Sequence, residues 1–213
     1  MEALVNWLFI TLALPKVGLP AIFVISLISA TLLPLGSEPA VFGYVKLAPE
    51  MFWPAVLVAT AGNVIGGMID WWMGYAAKKA HEYYAKGLEL LGDSDARRRI
   101  DALHDHGDVL TTLGKTDDAL SAFLEMLALA YRLALRGKGG AAHNRIGRLH
   151  RDTGMLTLAQ KHLETGLALF ELASDRRGIA ACHDDIGKCL WMRGEYDAAL
   201  TELKVGLEIR KEL

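Results

Sequence analysis

Three polar side chains stand inside the most apolar part of this sequence: Glu38, Asn63 and Asp70. A carboxylate among Val, Ile, Leu and Trp is costly unless protein or water reaches it, and such groups mark ion and proton paths in membranes. Asn63 and Asp70 are seven residues apart, two helical turns, so they fall on one face. Glu38 closes a broken stretch, LLPLGSEPA at 32–40. Two chemistries fit it. Broken-helix ends beside an acid build ion sites in transporters, and the same residues also make an interfacial turn with Glu38 solvated at the start of the next helix.

A second set recurs every forty residues further on: His104, Asn144 and Asp184; Asp108, Arg148 and Lys188; then Arg151 and Trp191. An Asn amide supplies a donor and an acceptor and so can grip a peptide backbone. Arg148, Arg151 and Lys188 favour an acidic or carboxylate-ended ligand, although the same charges can be spent on pairs along each helix. His104 and His106 point about 200° apart on a helix of 3.6 residues per turn, so they cannot share an ion, and His143, His150 and His183 read as packing residues. Cys182 and Cys189 lie seven apart, which is not the spacing of a metal or redox motif. No phosphate loop, Ser-His-Asp order or catalytic carboxylate pair is evident. The sequence predicts no enzyme, no metal and no cofactor.

The elements that must carry these residues differ in kind. Residues 1–77 hold only two of the 23 bases, Lys16 and Lys46, and four of the 25 acids, so 78–213 carries 21 of each. A balanced second part offers nucleic acid no basic footprint. Val17–Gly36 and Met51–Ile69 are uncharged runs near the length that spans a bilayer, about 20 residues. Trp53 and Trp71 would sit about 27 Å apart along a helix, placing indoles at two interfaces. Residues 3–14 are apolar but short and read as an interfacial helix. Gly62 and Gly66 have the small-residue spacing that lets two helices approach closely, and through them two copies of the chain would pair as a homodimer.

SATLLPLGSEPAVFG, followed by FWPAVLVATAGNVIGGMIDWWMGYAAKKAHEYY, resembles the YqaA branch of the DedA-like (SNARE-associated, or VTT) membrane proteins over residues 20–84. The resemblance implies a bacterial inner-membrane protein with re-entrant loops, acting in transport or lipid handling, with Glu38 as the functional carboxylate and membrane lipid as a partner. Family members carry a second membrane half. Nothing after Lys79 here is apolar enough to supply one, so a transport site would need a second copy of the chain.

From residue 80 onward the pattern is helical and repeats at forty. Gly107, Gly147 and Gly187 share the register, as do Gly114, Gly154 and Gly194; Ala119, Ala159 and Ala199; Phe123, Leu163 and Leu203; Leu127, Leu167 and Leu207. Each unit reads as helix, tight turn, helix, with the second glycine set ending the first helix. These positions resemble the tetratricopeptide repeat, lengthened to forty residues as in the peptide-binding repeats of polarity scaffolds. Residues 80–100 resemble the second helix of a preceding half repeat, joined to the membrane helix without interruption. Two families thus meet mid-unit, as in a natural fusion or a constructed chimera.

The expectation is therefore all-α: a partial DedA-like membrane domain over 1–77 with a re-entrant loop, fused to a tetratricopeptide-like solenoid over 78–213. Its expected function is that of a membrane-anchored scaffold presenting a protein- or peptide-binding groove in the cytoplasm. The alternative is a transport or lipid-handling module completed by dimerisation. Lys78-Lys79 at the membrane exit suits a cytoplasmic repeat region.

Overall fold

The computed structural model describes residues 15–31, 37–92 and 95–213, and every regular element among them is helical. The chain divides into two compact units, Met1–Ala76 and Ala77–Leu213.

In the first unit, α1 (Pro15–Thr31) is followed by α2 (Glu38–Leu47), a 3-10 turn (Pro49–Met51) and α3 (Phe52–Leu91). Pro34 and Gly36, which carry the expected helix break and re-entrant loop, lie outside the described residues, as does the interfacial helix expected within 1–14. The core is a small cluster of Ile22, Tyr44, Ala48, Ala55 and Ala59. Two glycines of α3 bring α1 against it. A Cβ at Gly62 would stand 2.7 Å from the Phe23 carbonyl oxygen, and one at Gly66 would stand 2.6 Å from the Ala30 Cβ. The other faces of α3 expose Trp53, Leu57, Met68, Trp71 and Trp72. By length and composition, Pro49–Leu91 is the one stretch among the described residues long and apolar enough to cross a membrane.

Helix α3 continues through the boundary, and residues 77–91 belong to the second unit. Asp93 and Ser94 lie outside the described residues. The solenoid then runs α4 (Ala96–Thr112), α5 (Thr116–Arg132), α6 (Arg136–Asp152), α7 (Leu156–Leu172), α8 (Arg176–Met192) and α9 (Tyr196–Lys211). Alternate helices begin forty residues apart, as the register predicts.

One turn geometry recurs at every corner. Gly114, Gly154 and Gly194 take φ of +71°, +80° and +82°. The amide after each reaches back five residues: Lys115 to Leu110, Met155 to His150 and Glu195 to Leu190, at 2.8–3.0 Å. That is the Schellman closure of a helix, which needs a left-handed residue. The returning corners use the same closure with Ala134 and Ser174, both at φ +54°, and with Leu135 and Asp175 donating back to Ala130 and Phe170.

Within each hairpin a glycine receives a large side chain from the partner helix: Gly107 takes Phe123, Gly147 takes Leu163 and Gly187 takes Leu203. Phe123, Leu163, Ala119, Ala159 and Ala199 are essentially buried in consequence. The first helices also touch one another, α4 on α6 and α6 on α8, whereas α5, α7 and α9 show no comparable mutual packing. The first helices therefore line the inner side of the curve, as in stacked helical repeats.

Candidate functional site

The inner surface is set by α4, α6 and α8, and it carries a notch of about 840 Å³. Its floor comes from Ala141 and Asn144 of α6 with Ala181 of α8, and its rim from the first turns of α6 and α8. The sequence RGKGG at 136–140 opens this space. Gly140 packs against Phe170 and the Gly166 carbonyl, while a Cβ added at Gly137 would meet nothing nearer than the Ala173 Cβ at 3.8 Å. Four bases, Arg136, Lys138, Arg145 and Arg177, stand around the notch with one acid, Asp175. Asp175 is engaged as the cap of α8, accepting from the Gly178 amide at 3.0 Å.

Two of the bases are held by the neighbouring repeat. Lys138 Nζ donates to Asp101 at 2.6 Å, and Arg145 grips Asp108 through two bonds of 2.7 and 2.9 Å. Arg136 and Arg177 make no hydrogen bond or ion pair among the described residues. They are the charges available to a ligand.

The residues picked out from sequence fall into two groups. His104 lines the notch, and Arg148, Lys188 and Trp191 are exposed on α6 and α8. The others are spent inside the fold. Asn144 is 4 % exposed and Arg151 9 %, so neither is a free groove side chain. Both serve Asp185 on α8, itself 5 % exposed. It accepts from Asn144 Nδ2 at 3.1 Å, Arg151 Nη1 at 2.7 Å and Lys188 Nζ at 3.2 Å. Burial pushes the Asp185 carboxyl up, but Lys188, Asn144, Arg151 and Arg148 together outweigh it and hold it below the usual carboxylate range. Asp184 pairs with Arg210 of α9. The sequence register could not show this because, Lys188 apart, the partners Asn144, Arg151 and Arg210 lie 26 to 41 residues away.

Of the histidines read as packing residues, His143 and His150 do pack, but with more structure than that reading gave them, while His183 Nδ1 bonds Glu202 of α9 at 2.7 Å. His143 Nδ1 lies 2.9 Å from His162 Nδ1, Tyr131 Oη lies 2.8 Å from His143 Nε2, and the His150 ring sits 5.5 Å from that of His162. His104 and His106 diverge as expected, the first to Asp105 and the second to His81.

In the first unit, Glu38 occupies the first turn of α2, where the helix dipole favours an acid. The Asn63 amide donates to Ser37 Oγ at 3.1 Å, and Glu38 and Asn63 line one cleft of about 320 Å³ with Val41, Phe52 and Val56. Asp70 does not reach it, standing two turns further along α3, about 10 Å by helical rise. Gly62 and Gly66 do mediate close helix packing, but within the chain. With α1 seated on that face, the expected pairing of two copies through these glycines has no free surface there.

Residues 140–212 match the tetratricopeptide repeat family. Among solved structures, the chain is similar to that described as the crystal structure of BtubC (BKLC) from P. vanneervenii. The TM-score is 0.56 at 16% identity, over 82% of this chain and 70% of that one. At that identity the likeness is one of fold. No curated protein matches the chain. None of these matches bears on the resemblance of residues 20–84 to DedA-like proteins.

Proposed function

We propose that this chain is a non-catalytic scaffold, anchored in a bacterial inner membrane by its first unit, whose repeats capture an acidic protein or peptide segment on the cytoplasmic side. The observation that carries the binding half is the notch between α6 and α8, rimmed by four bases with Arg136 and Arg177 unengaged. A carboxylate entering there meets guanidinium groups able to form charge-assisted bonds. The anchoring half draws on the outward Trp53, Leu57, Met68, Trp71 and Trp72 of α3, a pattern that costs free energy in water and none in lipid. Lys78-Lys79, just beyond it, favours the cytoplasmic side.

The test is anisotropy of a labelled deca-glutamate peptide against the full chain in neutral detergent, with deca-lysine as control. Binding of the acidic peptide should weaken with salt and fall at least tenfold in the double variant Arg136→Glu, Arg177→Glu. Equal affinity in the parent and the variant would refute the notch as the site. Partition of the chain into the aqueous fraction of lysed cells after carbonate washing would refute the anchor.

A further inference from the structure

Three imidazoles meet where α6 crosses α7, next to the floor of the notch. His143 and His150 come from α6 and His162 from α7, with Tyr131 of α5 closing one end. His143 and His150 are at most 9 % exposed. The crossing is also a close approach of the two helices. A Cβ at Gly166 would stand 3.1 Å from the Gly140 carbonyl oxygen and 3.4 Å from the His143 Cβ. Asn144, on the notch floor, is the residue after His143.

The geometry limits how many protons the cluster can carry. Two Nδ1 atoms 2.9 Å apart share one hydrogen. With both rings neutral, one donates to the other, and the Tyr131 hydroxyl completes the far nitrogen of His143 as donor or acceptor, according to tautomer. One further proton keeps the N–H···N bond but puts a charge on the buried His143 or the half-buried His162. A second sets two N–H groups face to face. No carboxylate acts on any of the three among the described residues; the one fixed charge that does is Lys161, of the same sign as an imidazolium. Nothing in the surroundings therefore rewards protonation.

We propose that His143, His150 and His162 form an acid-sensitive latch that holds α6 to α7 at neutral pH and releases that hairpin as the medium acidifies. The latch is a property of the hairpin itself. Its consequence, loss of the notch and its ligand in acid, rests on the function proposed above.

Burial, with His162 adding to it, holds the His143 imidazole down at about 4, whereas an exposed ring takes its proton near 6.5. A folded-state value below the open-state value means that the open form binds more protons between them, so opening is promoted as pH falls through that window. For His143 alone, the opening constant rises about eightfold from pH 7 to pH 5.5. His150 and His162, both depressed first by burial, add to it.

The experiment is hydrogen exchange of the full chain in detergent at pH 7.5, 6.5 and 5.5, corrected for intrinsic exchange. Peptides from 136–172 should lose protection by tenfold or more at pH 5.5, with those from α4 and α9 changing less. His162→Gln should flatten the pH dependence, since an amide can still bond His143 but does not titrate. Tyr131→Phe should raise exchange equally at every pH. A uniform loss along the solenoid, or no loss at pH 5.5, overturns the latch, as does an undiminished pH dependence in a folded His162→Gln variant. The same samples titrated with deca-glutamate separate the two readings. Absence of binding at both pH values counts against the notch alone, while binding unchanged across a hairpin that opens breaks the coupling between them.

Discussion

Replacing Asp185 by alanine removes the one acceptor that three donors from α6 and α8 share, and the cost can be worked out donor by donor. Asn144, 4 % exposed, loses its carboxylate and keeps only a long contact of 3.7 Å to the Cys182 sulfur. Leaving a buried amide so poorly satisfied costs about 1–3 kcal/mol. Arg151 retains Asp152, to which Nε donates at 2.9 Å, so its guanidinium is not stranded and its loss is about 1–2 kcal/mol. The Lys188 side chain is 56 % exposed, and its pair contributes little. The sum is about 2–5 kcal/mol for Asp185→Ala. Asp185→Asn keeps an acceptor oxygen and should cost about 2 kcal/mol by the same reasoning. Urea titration of the full chain in detergent, followed by circular dichroism with hydrogen exchange on 136–192, measures both. A loss below about 1 kcal/mol for the alanine variant would refute the argument and mean that water replaces the carboxylate without penalty. The pH dependence gives an independent check. The Asp185 carboxyl is depressed in the folded state, so its contribution is complete above the unfolded value near 4 and is lost as pH falls through the lower folded value. The difference between parent and variant should stay constant from pH 8 to pH 5, the range over which the histidine latch already loosens.

Three further outcomes follow from local structure. Gly154→Ala meets open space but a φ of +80°, so it should cost about 1–2 kcal/mol for conformation alone. Asn, which tolerates that region, should recover part of the loss. Gly147→Ala places its Cβ 2.7 Å from Leu163 Cγ and should cost about 1–3 kcal/mol by overpacking, with Asn worse than Ala, so thermal midpoints of the four variants distinguish turn from contact. Cys182 and Cys189 are both buried, and burial pushes the Cys182 thiol up to about 12. Iodoacetamide at pH 8 should therefore label neither in the folded chain and both in denaturant, because the thiolate is the nucleophile; mass spectrometry of native samples showing fast alkylation would count against that core.

The solenoid was legible because its determinants are local and periodic. A glycine at a helix end, a glycine opposite a large side chain and an alanine at a crossing each recur at forty residues, and each does the same work in every repeat. Even so, Ala134 and Ser174 adopt the left-handed corner without glycine, so the returning turns gave no residue signal. The inner face was legible in position but not in state. Asn144 and Arg151 do lie on first helices, but whether such a side chain is offered to a ligand depends on what stands one repeat away. Asp185 decides that, through a pairing no helical period encodes. The two unengaged arginines of the notch were missed for the converse reason. Arg136 and Arg177 sit in first turns rather than mid-helix, where the register of contact positions does not extend. In the first unit, small-residue spacing correctly signalled close packing, while the identity of the partner helix, α1 of the same chain, lay beyond it.

The Asn144–Asp185–Arg151 network has a bearing on how such an array can gain or lose members. Its helices are nearly uniform in length and its corners alike, so unequal recombination could delete residues 136–175 and leave every turn and every knob of the remainder in register. Asp185 would then face the side chains forty positions earlier, with His104 where Asn144 had been and Thr111 where Arg151 had been. A buried carboxylate left with a hydroxyl in place of a guanidinium is strongly destabilising. The backbone thus treats the repeats as interchangeable while this one seam does not, and that seam would act as a counting device, resisting drift in repeat number.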